Sequence, residues 1–205
     1  MISLLTAENL ACIRGERCLF AGLSFRVEQG KALCIQGPNG AGKTSLLRLI
    51  AGFLTPESGA VRFAAKDNSE IAGAEERGKE IGWLGHQDGL KAHLTVAEQL
   101  TFFAKLYGAV PDIAPALEMA GLARQGELAC RYLSAGQKKR LALARLKLIA
   151  RPIWLLDEPL AALDESGKGL AADMITQHCA QGGIVLAATH EKLGTPAATL
   201  TLGAA

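Results

Sequence analysis

A chain of 205 residues is long enough for one well-buried domain, or for two small ones sharing a core. With 49% apolar and 20% charged residues it has an ordinary globular composition, which excludes extensive disorder, and a net charge of +2 gives no basic footprint for nucleic acid. No run approaches the roughly 20 apolar residues of a bilayer span. The first residues also lack a signal-peptide pattern, so membrane contact is expected through partners only. Cys12, Cys18, Cys34, Cys130 and Cys179 are scattered without a C-x-x-C pair, which points to reduced structural thiols rather than a metal site or disulfide framework.

In chain order, Leu23-Ser24-Phe25 reads as strand, and 32–36 as a buried strand running into a glycine-rich segment. Helical character over 44–51 closes at Gly52, and the turn at 55–59 leads into a short strand at 60–63. Residues 64–80 show no usable pattern. A strand is expected at 81–84. Thr95-Val96-Ala97-Glu98 fits a capping box, which starts a helix running to about Tyr107, and a second short helix is expected at 115–122. Residues from about 88 to 131 thus form a helical insertion within a single domain covering 1–205. Ser134 can cap a helix extending to Ile149, stopped by Arg151-Pro152. An apolar strand at 153–156, a helix at 166–180 and strands at 184–188 and 198–202 complete the pattern. Strands alternating with helices predict an α/β fold whose mostly parallel sheet is covered on both faces.

Gly37-Pro38-Asn39-Gly40-Ala41-Gly42-Lys43-Thr44 fits G-x-x-x-x-G-K-[ST] between a predicted strand and a predicted helix. The glycines let successive backbone N–H groups turn towards a phosphate, and the helix N-terminus that Lys43, Thr44 and Ser45 open adds partial positive charge. Lys43 is expected to reach the β and γ phosphates of ATP, and the Thr44 hydroxyl to ligate Mg²⁺. The apolar strand ending in Asp157-Glu158 delivers two carboxylates to the same edge of the sheet. Asp157 suits the Mg²⁺ shell, and Glu158 suits a general base or orienter of the attacking water.

Leu133-Ser134-Ala135-Gly136-Gln137, followed by Lys138-Lys139-Arg140, resembles the L-S-G-G-Q signature of ABC ATPases. Gln87 resembles the Q-loop glutamine, Leu163-Asp164 the D-loop and His190 the switch histidine, in the expected order. The resemblance implies a P-loop NTPase of the ABC type, with an antiparallel β edge beside the parallel core. It implies that Gln87 contributes to the Mg²⁺ site and that His190 hydrogen-bonds the γ phosphate. It also implies that Ser134, Ala135, Gly136 and Gln137 meet a nucleotide held by a second ATPase subunit, in a homodimer. Ala135 replaces a glycine of the common pattern. Where the family places an aromatic residue under adenine, this chain has Arg14, whose planar guanidinium can stack on a π face.

The compact chain, Arg14, the signature and Leu84-Gly85-His86-Gln87-Asp88-Gly89-Leu90-Lys91 together resemble the ATP-binding export subunits of bacterial cytochrome c maturation, the haem exporter ATPases. That implies integral membrane subunits of the maturation complex as partners, at the cytoplasmic face of the inner membrane. Another small ABC exporter ATPase is the alternative, and a soluble ABC ATPase of DNA repair or translation a more distant one.

Overall fold

Strands and helices alternate along the chain, and the strands sort into two sheets according to how they are connected. The computed structural model describes residues 2–67, 69–110 and 112–203. In order come β1 (Ile2–Arg14), β2 (Arg17–Glu28), β3 (Ala32–Gln36), α1 (Lys43–Ile50), β4 (Ser58–Ala65), β5 (Glu70–Ile71), α2 (Ala74–Lys79) and β6 (Ile81–Leu84). They are followed by α3 (Val96–Leu106), α4 (Ala114–Met119), α5 (Ala135–Ile149), β7 (Ile153–Asp157), α6 (Glu165–Ala180), β8 (Ile184–Ala188) and β9 (Ala197–Thr201). Strands joined through helices form a parallel sheet in the order β6-β7-β8-β3-β9. The hairpin strands form a separate antiparallel sheet, β2-β1-β4-β5.

The parallel strands read as unbroken apolar runs because both faces are covered. Their alternate residues enter two cores. Leu33, Ile35, Ile153, Leu155, Ile184 and Leu186 face the antiparallel sheet and α1, packing with Leu5, Leu46, Ile50 and Phe63. Cys34, Trp154, Leu156, Val185 and Ala187 face the other way, towards α5, α6 and the helical insertion. Among the described residues no helix is long and apolar enough to cross a membrane. All five cysteines are free, and burial pushes the Cys34, Cys130 and Cys179 thiols up.

The structure extends the sequence reading in two places. Nearly all of residues 2–28 is a long hairpin, of which only 23–25 was expected as strand. Its register shifts between Ala7 and Ile13, around Asn9 at φ 50°, which breaks the alternation that marks a strand. Residues 64–80 contain β5 and α2, too short for a periodic signal, and α2 is anchored by Arg77. That buried guanidinium donates to Val61 O at 3.0 Å and also to Ala72 O. The short insertion helix begins at Ala114 and ends at Met119, earlier than the 115–122 expected. The Thr95 and Ser134 capping boxes are both formed.

On α6, His178 is buried and lies flat on Trp154, with ring centroids 3.9 Å apart. Burial drives its pKa from 6.5 down to about 4. The folded chain therefore binds this proton less readily than the unfolded one. The stability that follows is complete above the unfolded value and is lost as pH falls towards the folded one, about 3 kcal/mol in all. His178→Phe keeps the stacking and removes the titration. Thermal melts from pH 7 to pH 4.5 should show a steeper loss of Tm for the natural chain than for this variant.

Candidate nucleotide-binding site

Strand β3 ends at Gln36, and the chain turns at once into the glycine-rich loop. Gly37 sits at φ 143°, and a Cβ there would lie 2.5 Å from Leu202 O, so only glycine fits. Gly42, at φ 100°, caps α1 with no side-chain hydrogen bond and no acidic residue in the first turn. The N–H groups of that turn are therefore left to a ligand. The Lys43 ammonium folds back over the loop, donating to Gly37 O at 2.7 Å and Pro38 O at 3.2 Å. Beneath it, Ala41 N donates to Pro38 O, and Ala41 is buried.

Opposite the loop stands the end of β7. The Thr44 hydroxyl donates to Asp157 Oδ2 at 2.9 Å across the floor of the site, and Asp157 is only 5% exposed. Glu158 has left-handed backbone, φ 50°, while its N–H still donates to Ala188 O at 2.9 Å. A non-glycine residue holds that conformation at a cost of about 1–3 kcal/mol. The turn it makes carries its carboxylate off the strand direction and into the cleft.

The resulting cleft has a volume of about 590 Å³, within the roughly 300–1,000 Å³ range of small-molecule sites. Asn39, Gly40, Gly42, Lys43, Thr44 and Ser45 line one wall, and Asp157 and Glu158 another. Arg14, at the tip of the β1–β2 hairpin, reaches the rim together with Leu19. Among the described residues no Phe, Tyr or Trp lines the cleft. Phe20 lies instead beneath the loop, against Gly42.

Three other candidate elements lie outside this cleft. Gln87 lines a neighbouring groove of about 500 Å³ with Phe53, Trp83, Phe103, Tyr107 and Arg145. His190 is exposed, two residues past the end of β8. Ser134 caps α5 by accepting from Gln137 N at 3.1 Å, while Gln137 Oε1 accepts from Ser134 N at 2.8 Å. Ser134 and Ala135 are exposed, and Gly136 packs so close to Ala162 O that a Cβ would sit 3.0 Å away. His86, which the sequence reading quoted only within the segment 84–91 and gave no role, lines the cleft, and Gln87 does not.

The loop after β6 is clamped to the insertion side. Arg145 on α5 donates to Asp88 O at 3.0 Å and Trp83 O at 3.3 Å, with its guanidinium over the Phe103 ring. The Lys139 ammonium, on the same helix, lies 3.0 Å from Asp88 Oδ1 as an ion pair with both partners largely buried. Lys91 N donates to the buried Gln99 on α3 at 2.9 Å.

Comparison with known proteins agrees with this geometry. The family model for the ABC transporter ATP-binding domain matches residues 20–161, and the chain belongs to that family. A solved ABC transporter ATP-binding protein from Pyrococcus furiosus superposes with a TM-score of 0.84 at 26% identity, over 98% of each chain. A bacterial Atm1-family ABC exporter with ATP bound gives 0.80 at 25% identity, over 98% of this chain and 37% of that one. Within the family, the chain is a member of the cytochrome c biogenesis ATP-binding export proteins. It is 45% identical to the CcmA protein of Rhodopseudomonas palustris over 98% of both chains. It is 46% identical to that of Dechloromonas aromatica, over 96% of this chain and 97% of the relative. It is thus an ATP-binding, ATP-hydrolysing transporter subunit.

Removing the clamp's charge should loosen the loop next to the site. Lys139→Met leaves Asp88 a largely buried carboxylate without its cation, at a cost of about 3 kcal/mol. Urea unfolding should show that loss as a lower midpoint with an unchanged slope.

Proposed function

We propose that the chain works in pairs as the nucleotide-driven motor of a cytochrome c maturation exporter, the haem exporter system, on the cytoplasmic face of the bacterial inner membrane. The observation that carries this reading is the division of its surface. The phosphate loop, Asp157 and Glu158 meet in one cleft, while the N-terminus of α5 is exposed outside it. A second copy would bring Ser134, Ala135, Gly136 and Gln137 to the phosphates bound by the first. The Ser134 hydroxyl and the N–H groups of the first turn of α5 then donate to the terminal phosphate.

The site fits Mg²⁺. The Thr44 hydroxyl and the Asp157 carboxylate meet at 2.9 Å, hard oxygen donors placed beside the loop that holds phosphates. An ion held there would take its remaining ligands from phosphate and water. The ion would supply charge neutralisation of the phosphates, with Thr44 and Asp157 as its holders and Gln87 joining on closure. Lys43 turns from the loop carbonyls to the phosphates. Glu158 orients the attacking water, and His190 reports the terminal phosphate to the rest of the machine. Arg14 takes the adenine platform. The groove beside Gln87, with exposed Phe53 and Tyr107, receives the integral membrane subunits, so ATP-driven closure is passed to them.

Binding moves such an equilibrium only through its greater affinity for the closed pair. Glu158→Gln should therefore keep ATP binding, lose turnover by a factor of 100 or more, and accumulate a dimer on size exclusion only when ATP is present. Continued rapid phosphate release by that variant contradicts the role of Glu158. Arg14→Ala should weaken ATP and GTP binding roughly tenfold, measured by nucleotide fluorescence titration. Unchanged affinity for both nucleotides removes Arg14 from the site.

A further inference from the structure

We propose that His86 contacts the nucleotide directly, its imidazole donating a hydrogen bond to the terminal phosphate from beside Glu158. The inference rests on reading the cleft as the ATP site. His86 lines that cleft together with Lys43, Thr44, Asp157 and Glu158. β6 and β7 run parallel with Leu84 beside Leu156, and beyond that last pair the two chains bring His86 and Glu158 to the same cleft. The next residue, Gln87, does not line this cleft; it lines the neighbouring aromatic groove and shares with His86 a third hollow beside Asp88 and Lys138.

The chemistry of that wall calls for a donor. Asp157 and Glu158 offer only acceptor oxygens when ionised, and the Thr44 hydroxyl proton is already given to Asp157. Lys43 approaches from the opposite side, over the loop. Beside an ion that Thr44 and Asp157 would hold, Glu158 still offers the phosphate only acceptor oxygens, and His86 brings a ring N–H to the same cleft. Its backbone is held in advance. The Arg145 bonds to Trp83 O and Asp88 O and the Lys139–Asp88 ion pair bracket residue 86 on both sides. Little ordering is left to be done when the ligand arrives.

Fluorescent ATP and ADP analogues titrated against the full chain at fixed Mg²⁺ test this, with the melting temperature of each ligand-free variant alongside. His86→Ala should raise the Kd for ATP roughly tenfold or more while the Kd for ADP changes less than about twofold, with Tm unchanged. His86→Gln keeps an N–H donor and should recover most of the ATP affinity. ATP affinity equal to the natural chain in His86→Ala overturns the proposal. So does an equal loss of ATP and ADP binding in both variants with a lowered Tm, which would make His86 a structural residue. A natural chain without measurable ATP affinity would remove the parent reading along with it.

Discussion

The register in which β3, β7 and β8 lie side by side fixes everything at the nucleotide end of the molecule. Ile35 pairs with Ala188, and Ala188 with Asp157, so three strands stop at one level. Each then releases a functional element at the same edge: the phosphate loop after β3, the paired carboxylates at the end of β7, and His190 after β8. A slip of one residue in a strand would exchange its two faces, moving Leu155 and Leu186 out of one core and Trp154 and Val185 out of the other. The two cores thus lock the register, and the register sets the 2.9 Å contact between Thr44 and Asp157. The left-handed turn at Glu158 is tolerated because its N–H remains tied to Ala188 O.

A second consequence concerns what a single copy lacks. The helix that begins at the signature is pinned along its length, through Arg145 and Lys139 to the loop after β6 and through Arg140 to Ala120 O at 2.7 Å. Its first turn is nevertheless exposed at Ser134 and Ala135, and the Ser134 hydroxyl accepts from Gln137 N of the same helix. The rigid body of the helix therefore presents a donor-rich end to the outside, while the cleft presents phosphate-binding groups on another surface. Under the proposed pairing, two copies in opposite orientation would satisfy both. The loop that carries His86 and Gln87 touches the cleft on one side and the aromatic groove on the other, so under the proposed function a partner in the groove would lie close to the nucleotide.

Much of this was legible in the sequence because the decisive signals are local. The phosphate loop requires glycines at fixed spacing, the β7 run requires apolar residues followed by Asp157-Glu158, and the Thr95 capping box and the Ser134 cap stand where the sequence puts them. The elements that escaped depend on tertiary geometry. The β1–β2 hairpin hid behind bulges that scramble its alternation, and α2 is six residues held by one buried arginine. His86 escaped for a related reason: that it lines the cleft while Gln87 does not depends on the bend after β6, and residue spacing carries no record of that bend. The antiparallel strands, expected as an edge, form a sheet of their own because β1 pairs with β2 and β4 rather than with the parallel core.

A mixing experiment on two inactive variants tests the divided site most directly. Lys43→Ala disables the phosphate loop and leaves α5 intact, and Ser134→Arg blocks the signature and leaves the loop intact. Each variant alone should hydrolyse no ATP. A mixed pair contains one whole site, made of the loop of one copy and the signature of the other, so the account predicts that mixing restores ATP hydrolysis. Full activity of Ser134→Arg alone, or no recovery in a mixture shown to contain mixed pairs, would contradict it.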